Sequence, residues 1–585
     1  MLAITISWIA ISVVFLSMGD IFVSLHNRLC KQNEQYGLTD TFLLGMCFTL
    51  IPLSITSFWL PSNHYILLAL LIACLIYWTV RKNHLLAVIR KVRSSFARLS
   101  IFHSAIFIIP IISLMIAIIW QVGVFDSLLY HQQNIRWNEE FAIVPGLGNI
   151  EHRFSFNSNY LLLSAIFSLR TIFGEGVYSL QVLVLIAVIC WTIKRIIQSG
   201  YEIKHILLLL IITGYIFTFG YSLAATSTDA IPNIISLYLI AKLLLYPNSL
   251  SNKKLFFVII PITLFTFKLT IIPLGLISLY ILVRLARNKE YRTALFLTFV
   301  PMVILGLWFI RNVITSGYLI FPLHEIDIFT VDWKLPAFVA TEEKDFIFSC
   351  GIRALNDVIW QITHPELNSF DGIYRWGMNL IFIAPILLSP VVVIYSFLKK
   401  KYLHKNVYFV YLILLAVIGV WYWGGPDPRF IGGILFAVIY YICYLLFSTR
   451  KEKLYPKTGT ILTAAFSLLM AYWAVSRSIK FYNMFDLKTP KANSRPVSDI
   501  LIRQYPYREL LKSLTLYTDE FLPYKLDNGA TIYISKSPEI PDGRFVCFES
   551  PFPCTVLQAD APGKYQDISS VTTRGRSLQD GFRPR

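Results

Sequence analysis

This sequence predicts an all-α polytopic membrane protein with a small β-rich C-terminal appendage, on three grounds: its apolar excess, the length of its apolar blocks and the placement of its basic residues. Of 585 residues, 56% are hydrophobic and only 15% charged, against roughly a quarter charged in an ordinary soluble domain. A water-soluble fold cannot hide that much apolar surface. The apolar residues also run in uninterrupted blocks of about 17 to 25, the length that spans a bilayer, rather than as amphipathic stripes. The 52 Lys and Arg outnumber the 34 Asp and Glu, but most sit in short loops between apolar blocks, as the positive-inside rule expects of cytoplasmic loops. A nucleic-acid partner would need a basic face on a soluble module, and the chain offers none.

The blocks fall roughly at 1–24, 41–60, 65–80, 101–121, 158–173, 177–193, 205–222, 230–246, 255–284, 293–311, 376–398, 406–422, 429–447 and 458–476, which predicts about 13–14 transmembrane helices. The first lacks a basic leader and a small-residue cleavage site, and reads as a retained helix. Basic loops at Arg81–Arg98, Lys194–Lys204, Arg284–Arg292, Lys399–Lys405 and Arg450–Lys457 mark the inside, which puts 122–157, 312–375, 423–430 and the tail outside. Between Asn157 and Lys194 the crossings must then be odd, yet two blocks lie there, so one of them is re-entrant or half-length. The block Leu255–Arg284 carries Pro261, Lys268 and Pro273 and is long for one span. Two short helices meeting near Lys268 fit it better, and such breaks are tolerated at membrane depth only beside a protein cavity or water.

The chain divides into N-terminal transmembrane helices (1–100), a transmembrane core (101–476) with large outside loops at 122–157 and 312–375, and an extracytoplasmic C-terminal segment (477–585). From about Asn493 it turns polar, with turn signals Asp527-Asn528-Gly529 and Pro541-Asp542-Gly543 between strand-like runs such as Thr531–Ile534. Cys547 and Cys554 either close a disulfide in an oxidising compartment or stand as buried thiols. Cys30, Cys47, Cys74, Cys190, Cys350 and Cys443 are scattered without metal-ligand spacing and read as small hydrophobes.

The densest polar stretch follows the span 101–121 and runs from Gly123 to Asn157. Asp126 has two readings: an N-cap for a helix starting at Ser127, or a general base at the mouth of a membrane cavity, taking the proton of an acceptor hydroxyl. Tyr130 and Asn134 share its helical face, His131 lies beside that face, and His152 and Arg153 follow as acceptor or cavity candidates. A metal held by His131, Glu139 or Glu140, and His152 is conceivable, but no spacing motif supports it, so no metal site is assigned. A Lys at the centre of a span costs about 2.5 to 3.5 kcal/mol, so Lys268 is functional if deep and a snorkelling residue if near the interface. Arg429, next to an apolar block, has a bland reading as an interfacial anchor. Asp229 is an acceptor contact or a helix cap. Arg311, at a span end, anchors to headgroups or pairs with an outside-loop acid.

The runs Asp126–Trp137, Pro145–Asn149, His152–Phe154 and Phe156–Ser158 resemble the first outside loop of an uncharacterised bacterial envelope membrane-protein family, itself similar to the GT-C superfamily of polyprenyl-phosphate-sugar-dependent glycosyltransferases. Arg311-Asn312, Ser316–Tyr318, Asp332–Lys334 with Pro336, Pro426–Phe430, Arg574-Gly575 and Asp580–Arg583 fit the same resemblance. Likeness to the GT-C enzymes rests on layout: an acid opening a large outside loop, paired short helices with a Lys between them, and a soluble appendage. The three blocks before residue 100 are additional to that core. The resemblance implies a transferase with Asp126 as base and Lys268 and Arg429 holding the donor phosphate. It moves a sugar from a polyprenyl-phosphate carrier to a glycan, lipid or protein acceptor on the outer face of a bacterial cytoplasmic membrane. It implies no certain cofactor. The alternatives are a lipid-linked-sugar transporter or flippase, and a non-catalytic membrane component of an envelope polysaccharide assembly system.

Overall fold

An apolar run in lipid satisfies its backbone by coiling, because no water is present to take a stray N–H or C=O. The computed structural model describes residues 1–97, 99–399, 404–447, 453–485, 487, 495–512, 520–536, 546–557 and 567–585. Among them ten helices are long and apolar enough to cross a membrane: Leu2–Cys30, Leu38–Thr56, Leu180–Ser199, Ile203–Ala224, Leu269–Arg287, Tyr291–Ser316, Asp371–Leu398, Lys405–Gly424, Pro428–Phe447 and Pro456–Met484. The expected 13–14 therefore reduces to ten full-length helices among the described residues. The remaining blocks fold shorter than their apolar length suggests. His64–Val80 and Ile101–Ala117 have 17 residues each, Ala230–Leu245 has 16 and Asn159–Phe167 has 9. His64–Val80 also bends by 91° into a basic helix, so most of Arg81–Arg98 is the helix Lys82–Ala97 rather than a loop.

Helices pack without a hydrophobic drive in lipid, so small residues decide how closely they approach. Leu2–Cys30 and Leu38–Thr56 touch backbone to backbone: a Cβ on Gly45 would stand 1.7 Å from the Phe15 carbonyl oxygen, and one on Gly19 would stand 1.9 Å from that of Thr41. At the opposite end of Ala230–Leu245 from Asp229, the buried Asp40 pairs with Lys242 and Lys253 and accepts from the Tyr238 hydroxyl at 2.7 Å. Each buried charge there has a partner, which keeps its desolvation tolerable and fixes where that helix sits.

The broken block is a hairpin. Lys254–Phe265 leads through Thr266–Lys268 to a 3₁₀ turn, Leu269–Leu274, and back along Gly275–Arg287. Its open ends lie together on the basic side, where Arg284 donates to Ser251 at 2.8 Å and Lys254 pairs with Glu290 at 2.5 Å. A helix of 12 residues rises ~18 Å, short of the ~30 Å hydrocarbon core, and Lys268 stands just past its end at the hairpin tip. The parity problem resolves through Asn159–Phe167, which is the half-length block. Asn157, just before it, donates to Asn312 at 2.8 Å, and Arg170, just after it, pairs with Glu139 of the outside loop at 2.5 Å. Both ends therefore stay on one side.

The loop 312–375 contains the 27-residue helix Ala337–Thr363. In the appendage β1 (Phe521–Lys525) and β2 (Thr531–Ser535) form an antiparallel hairpin, β3 (Cys554–Thr555) adds in parallel to β2, and β4 (Val571–Thr573) pairs with β5 (Phe582–Pro584). Asp527-Asn528-Gly529 makes the β1–β2 turn as expected, with Gly529 at φ 83°. Pro541-Asp542-Gly543 lies outside the described residues, as do parts of the basic loops Lys399–Lys405 and Arg450–Lys457. Cys547 and Cys554 form the disulfide. Leu129, Tyr130, Trp137 and Phe154 of the first outside loop share one apolar core with Leu526, Ile532, Ile568 and Phe582, so loop and appendage fold as a single layer.

Candidate functional site

Four chain segments converge at the outer end of the bundle. The first is the start of the outside loop, where a helical turn opens near Phe125 and passes through a π turn, Ser127–His131, into the helix Gln132–Glu140. Such single π turns insert one extra residue and are frequent at functional sites. Asp126 does not cap this helix: its side chain makes no cap bond. Its Oδ2 meets Nη1 of Arg429 at 2.8 Å instead. The π turn also alters which residues surround the acid. With the Gln132 N–H bonded to the Ser127 carbonyl five residues back, His131 comes within the field of Asp126 alongside Tyr130. Tyr130 packs into the apolar core shared with the appendage, its ring 6.0 Å from that of Phe156.

The second segment is the 3₁₀ turn Pro428–Ile431. Asp427 accepts from the Arg429 N–H at 2.9 Å and pairs with its Nε at 2.9 Å. Asn233 donates to the Arg429 carbonyl at 3.0 Å and accepts from the Gly433 N–H at 2.9 Å. The contact needs glycine, because a Cβ at Gly433 would stand 1.9 Å from the Asn233 carbonyl oxygen. The third and fourth segments are the hairpin tip and the start of Ala230–Leu245, whose Lys268 and Asp229 pair at 2.6 Å. Asp229, like Asp126, makes no cap bond. The Phe430 ring joins the two pairs: Lys268 Nζ lies 3.7 Å from its centroid and the Arg429 guanidinium carbon 5.1 Å. The side chains of Asp126 and Arg429 remain 24% and 34% exposed, so the pair stays open to a ligand.

Burial pushes the Asp126 carboxyl up, but the field of Arg429, with His131, Arg153 and Lys268, outweighs it and holds the group at about 2. Asp427 moves the other way, because burial raises it more than Arg429 lowers it. Burial presses His131 down to about 4, against the opposing pull of Asp126 and Asp229. It is therefore neutral at neutral pH, and neither ring nitrogen has a hydrogen-bond partner among the described residues.

His152 and Arg153 are engaged elsewhere. Glu343, from the helix Ala337–Thr363, accepts from His152 Nε2 at 2.9 Å and from Arg153 Nε at 3.1 Å. Burial alone would raise this carboxyl, and His152 and Arg153 bring it below its usual range. Glu139 pairs with Arg170 and Glu140 with Arg136, so the conceivable metal set of His131, Glu139 or Glu140, and His152 does not assemble. No group of His, Cys, Asp and Glu that could hold a metal occurs among the described residues. Arg311 pairs with no acid among the described residues. It is buried, donating to Ser57 Oγ, to Asn138 Oδ1 at 2.9 Å and to Asn157 Oδ1 at 3.3 Å, and so pins the outside loop to the bundle.

Fold and site together define a multi-pass membrane protein in which loops at one end of the bundle and the C-terminal appendage surround a charged, partly open cluster. Residues 1–436 match the family described as Domain of unknown function (DUF8201), and the chain belongs to that family. The matched span contains Asp126, Asp229, Lys268 and Arg429, while the disulfide-bearing appendage lies beyond it. No curated protein and no solved structure matches.

Proposed function

We propose that the protein is a GT-C-like glycosyltransferase, moving a sugar from a polyprenyl-phosphate carrier to an envelope glycan, lipid or protein acceptor at the outer face of a bacterial cytoplasmic membrane. The observation that carries this reading is the pair of acid–base contacts, Asp126–Arg429 and Asp229–Lys268, with both cations over one Phe430 ring. Two cations this close suit one phosphate, and Arg suits it best because its planar fork binds two oxygens. In the transfer, the acceptor hydroxyl oxygen bonds to the sugar's anomeric carbon as the bond from that carbon to phosphate oxygen breaks. The electron pair leaves with polyprenyl phosphate, where fixed cations stabilise it, and the hydroxyl proton passes to Asp126.

Asp126 and Asp427 contact Arg429, and Asp229 contacts Lys268, so a phosphate enters by displacing a carboxylate. Displacement of Asp126 from Arg429 serves the reaction. Paired, the acid sits at about 2 and is a poor base; once Arg429 turns to phosphate, burial raises it. The donor would thus arm its own base. The disulfide supports an oxidising, extracytoplasmic side for the appendage and the loop it packs on.

Binding of undecaprenyl phosphate to the purified chain, read by native mass spectrometry, tests the cations, and restoration of envelope glycan in a deletion strain tests the acid. Arg429→Ala and Lys268→Ala are expected to weaken binding at least tenfold. Asp126→Asn should bind the carrier as tightly as the native chain or more so, since Arg429 loses a competitor, yet restore no glycan. Unchanged binding in Arg429→Ala would remove the donor site. Restored glycan with Asp126→Asn would remove the base and favour the transport or non-catalytic reading.

A further inference from the structure

The helix that presents Asp126 and His131 to Arg429 borders a second space on its other side. Leu128, Gln132 and Arg136, each four residues on from the last, face a cavity of about 350 Å³ closed by Arg170, Tyr507 and Glu549. We propose that this cavity binds a neutral, hydroxyl-rich ligand, a saccharide of one or two units.

Three observations lead to that class. First, the charges in the wall balance: Arg136, Arg170 and Arg508 stand against Glu175, Glu509 and Glu549. Several are already committed to each other or to the chain. Arg170 pairs with Glu139 at 2.5 Å and Glu549 at 2.9 Å, Glu175 with Arg495, and Arg136 donates to the Glu549 carbonyl at 2.8 Å. Such a wall offers neither an anion nor a cation a net attraction. Second, polar valence is left over. Gln132, only 4% exposed, turns its side chain to the cavity wall, and the Arg136 Nε is buried without a hydrogen-bond partner among the described residues. A buried polar group left unmade costs about 1 to 3 kcal/mol, a deficit that a ligand hydroxyl, both donor and acceptor, would relieve. Third, the wall mixes planar amide, guanidinium and carboxylate groups with the Tyr507 and Phe548 rings. Those planar groups can bond neighbouring hydroxyls in pairs, and the rings can cover the apolar face of a sugar. This site stands on its own contacts and does not depend on transfer at Asp126.

Saturation-transfer NMR on the full chain in lipid nanodiscs, free of sugar-based detergent, tests the proposal. The probes are cellobiose, lactose and N,N′-diacetylchitobiose as neutral sugars, glucosamine as a cation and glucose 6-phosphate as an anion. At least one neutral disaccharide should bind saturably and more tightly than either charged probe. Gln132→Leu should weaken that binding at least tenfold, whereas Asp126→Asn should leave it within twofold, even where glycan restoration is lost. If Gln132→Leu fails to fold, Gln132→Asn, which retracts the amide by one methylene, is read instead. Absence of saturable neutral binding, tighter binding of a charged probe, or native-like binding by the folded Gln132 variant would each overturn it.

Discussion

His131 is the side chain whose surroundings say most about the site. Its ring is buried, faces the carboxylates of Asp126 and Asp229 and the cations of Lys268 and Arg429, and is held at about 4. Because the folded value lies below the unfolded one of about 6.5, the unfolded chain takes up the proton first as pH falls. Stability that is complete above pH 6.5 is therefore lost between there and about 4, on the order of 3 kcal/mol. Asp126 behaves differently: its ion pair is intact above the ordinary carboxylate value near 3.9 and fades only as pH drops toward about 2. Thermal unfolding of the native chain should fall across pH 6.5 to 4, and His131→Gln should flatten that fall; an equal slope in both would show that the ring does not titrate there. Of the site residues, Asp126, Lys268 and Arg429 were legible because a charge beside an apolar block is conspicuous. Asp229 was visible but ambiguous, since a helix cap and an ion pair ask for the same residue in the same place. Glu343 was not legible at all. It sits in Glu342-Glu343-Lys344-Asp345, a run that reads as a solvated face until the fold buries one member.

At the scale of elements, two clamps hold the outside loop. In one, Glu343 ties the turn His152–Phe156 to the helix Ala337–Thr363. Glu343→Gln leaves Arg153 without its charge partner, and breaking such a buried pair costs about 3 to 5 kcal/mol; its failure to lower the unfolding midpoint would mean water compensates Arg153. In the other, the disulfide segment meets the π turn: the Leu128 carbonyl accepts from the Cys547 and Phe548 N–H groups at 3.1 and 2.9 Å, and Gln133 donates to the carbonyls of Phe548 and Pro551. A closed loop this short constrains the unfolded chain by about 2 to 3 kcal/mol in the entropic account. Reduction, or Cys547→Ser with Cys554→Ser, should expose the appendage to protease and weaken polyprenyl-phosphate binding without touching Arg429. Protease resistance equal to that of the oxidised chain would separate the appendage from the site. The π turn itself had no sequence signal. The 3.6-residue period put Tyr130 over Asp126 with His131 beside that face, and the inserted residue brings His131 into the field of the acid as well.

For the whole molecule, composition fixed the solvent but not the count. Block length alone overstated the full-length helices, because Ala230–Leu245, Lys254–Phe265 and Asn159–Phe167 end early, and their early ends are what leave room for Lys268 and Asp229 below the loop. The resulting topology is open to labelling in a chain whose six unpaired cysteines are replaced. Thr171→Cys and Asp332→Cys, both at exposed or half-exposed positions, should react with an impermeant maleimide from one face, and the exposed Asn288→Cys only after permeabilisation. Labelling of Thr171→Cys together with Asn288→Cys would make Asn159–Phe167 part of a crossing. The apolar core shared by Leu129 and Phe582 also orders events in time. The acid-bearing helix is synthesised early, yet its packing partners are among the last residues to leave the ribosome, and contacts so distant in sequence form late. A chain interrupted anywhere before Cys554 would present the acid on an unsupported turn.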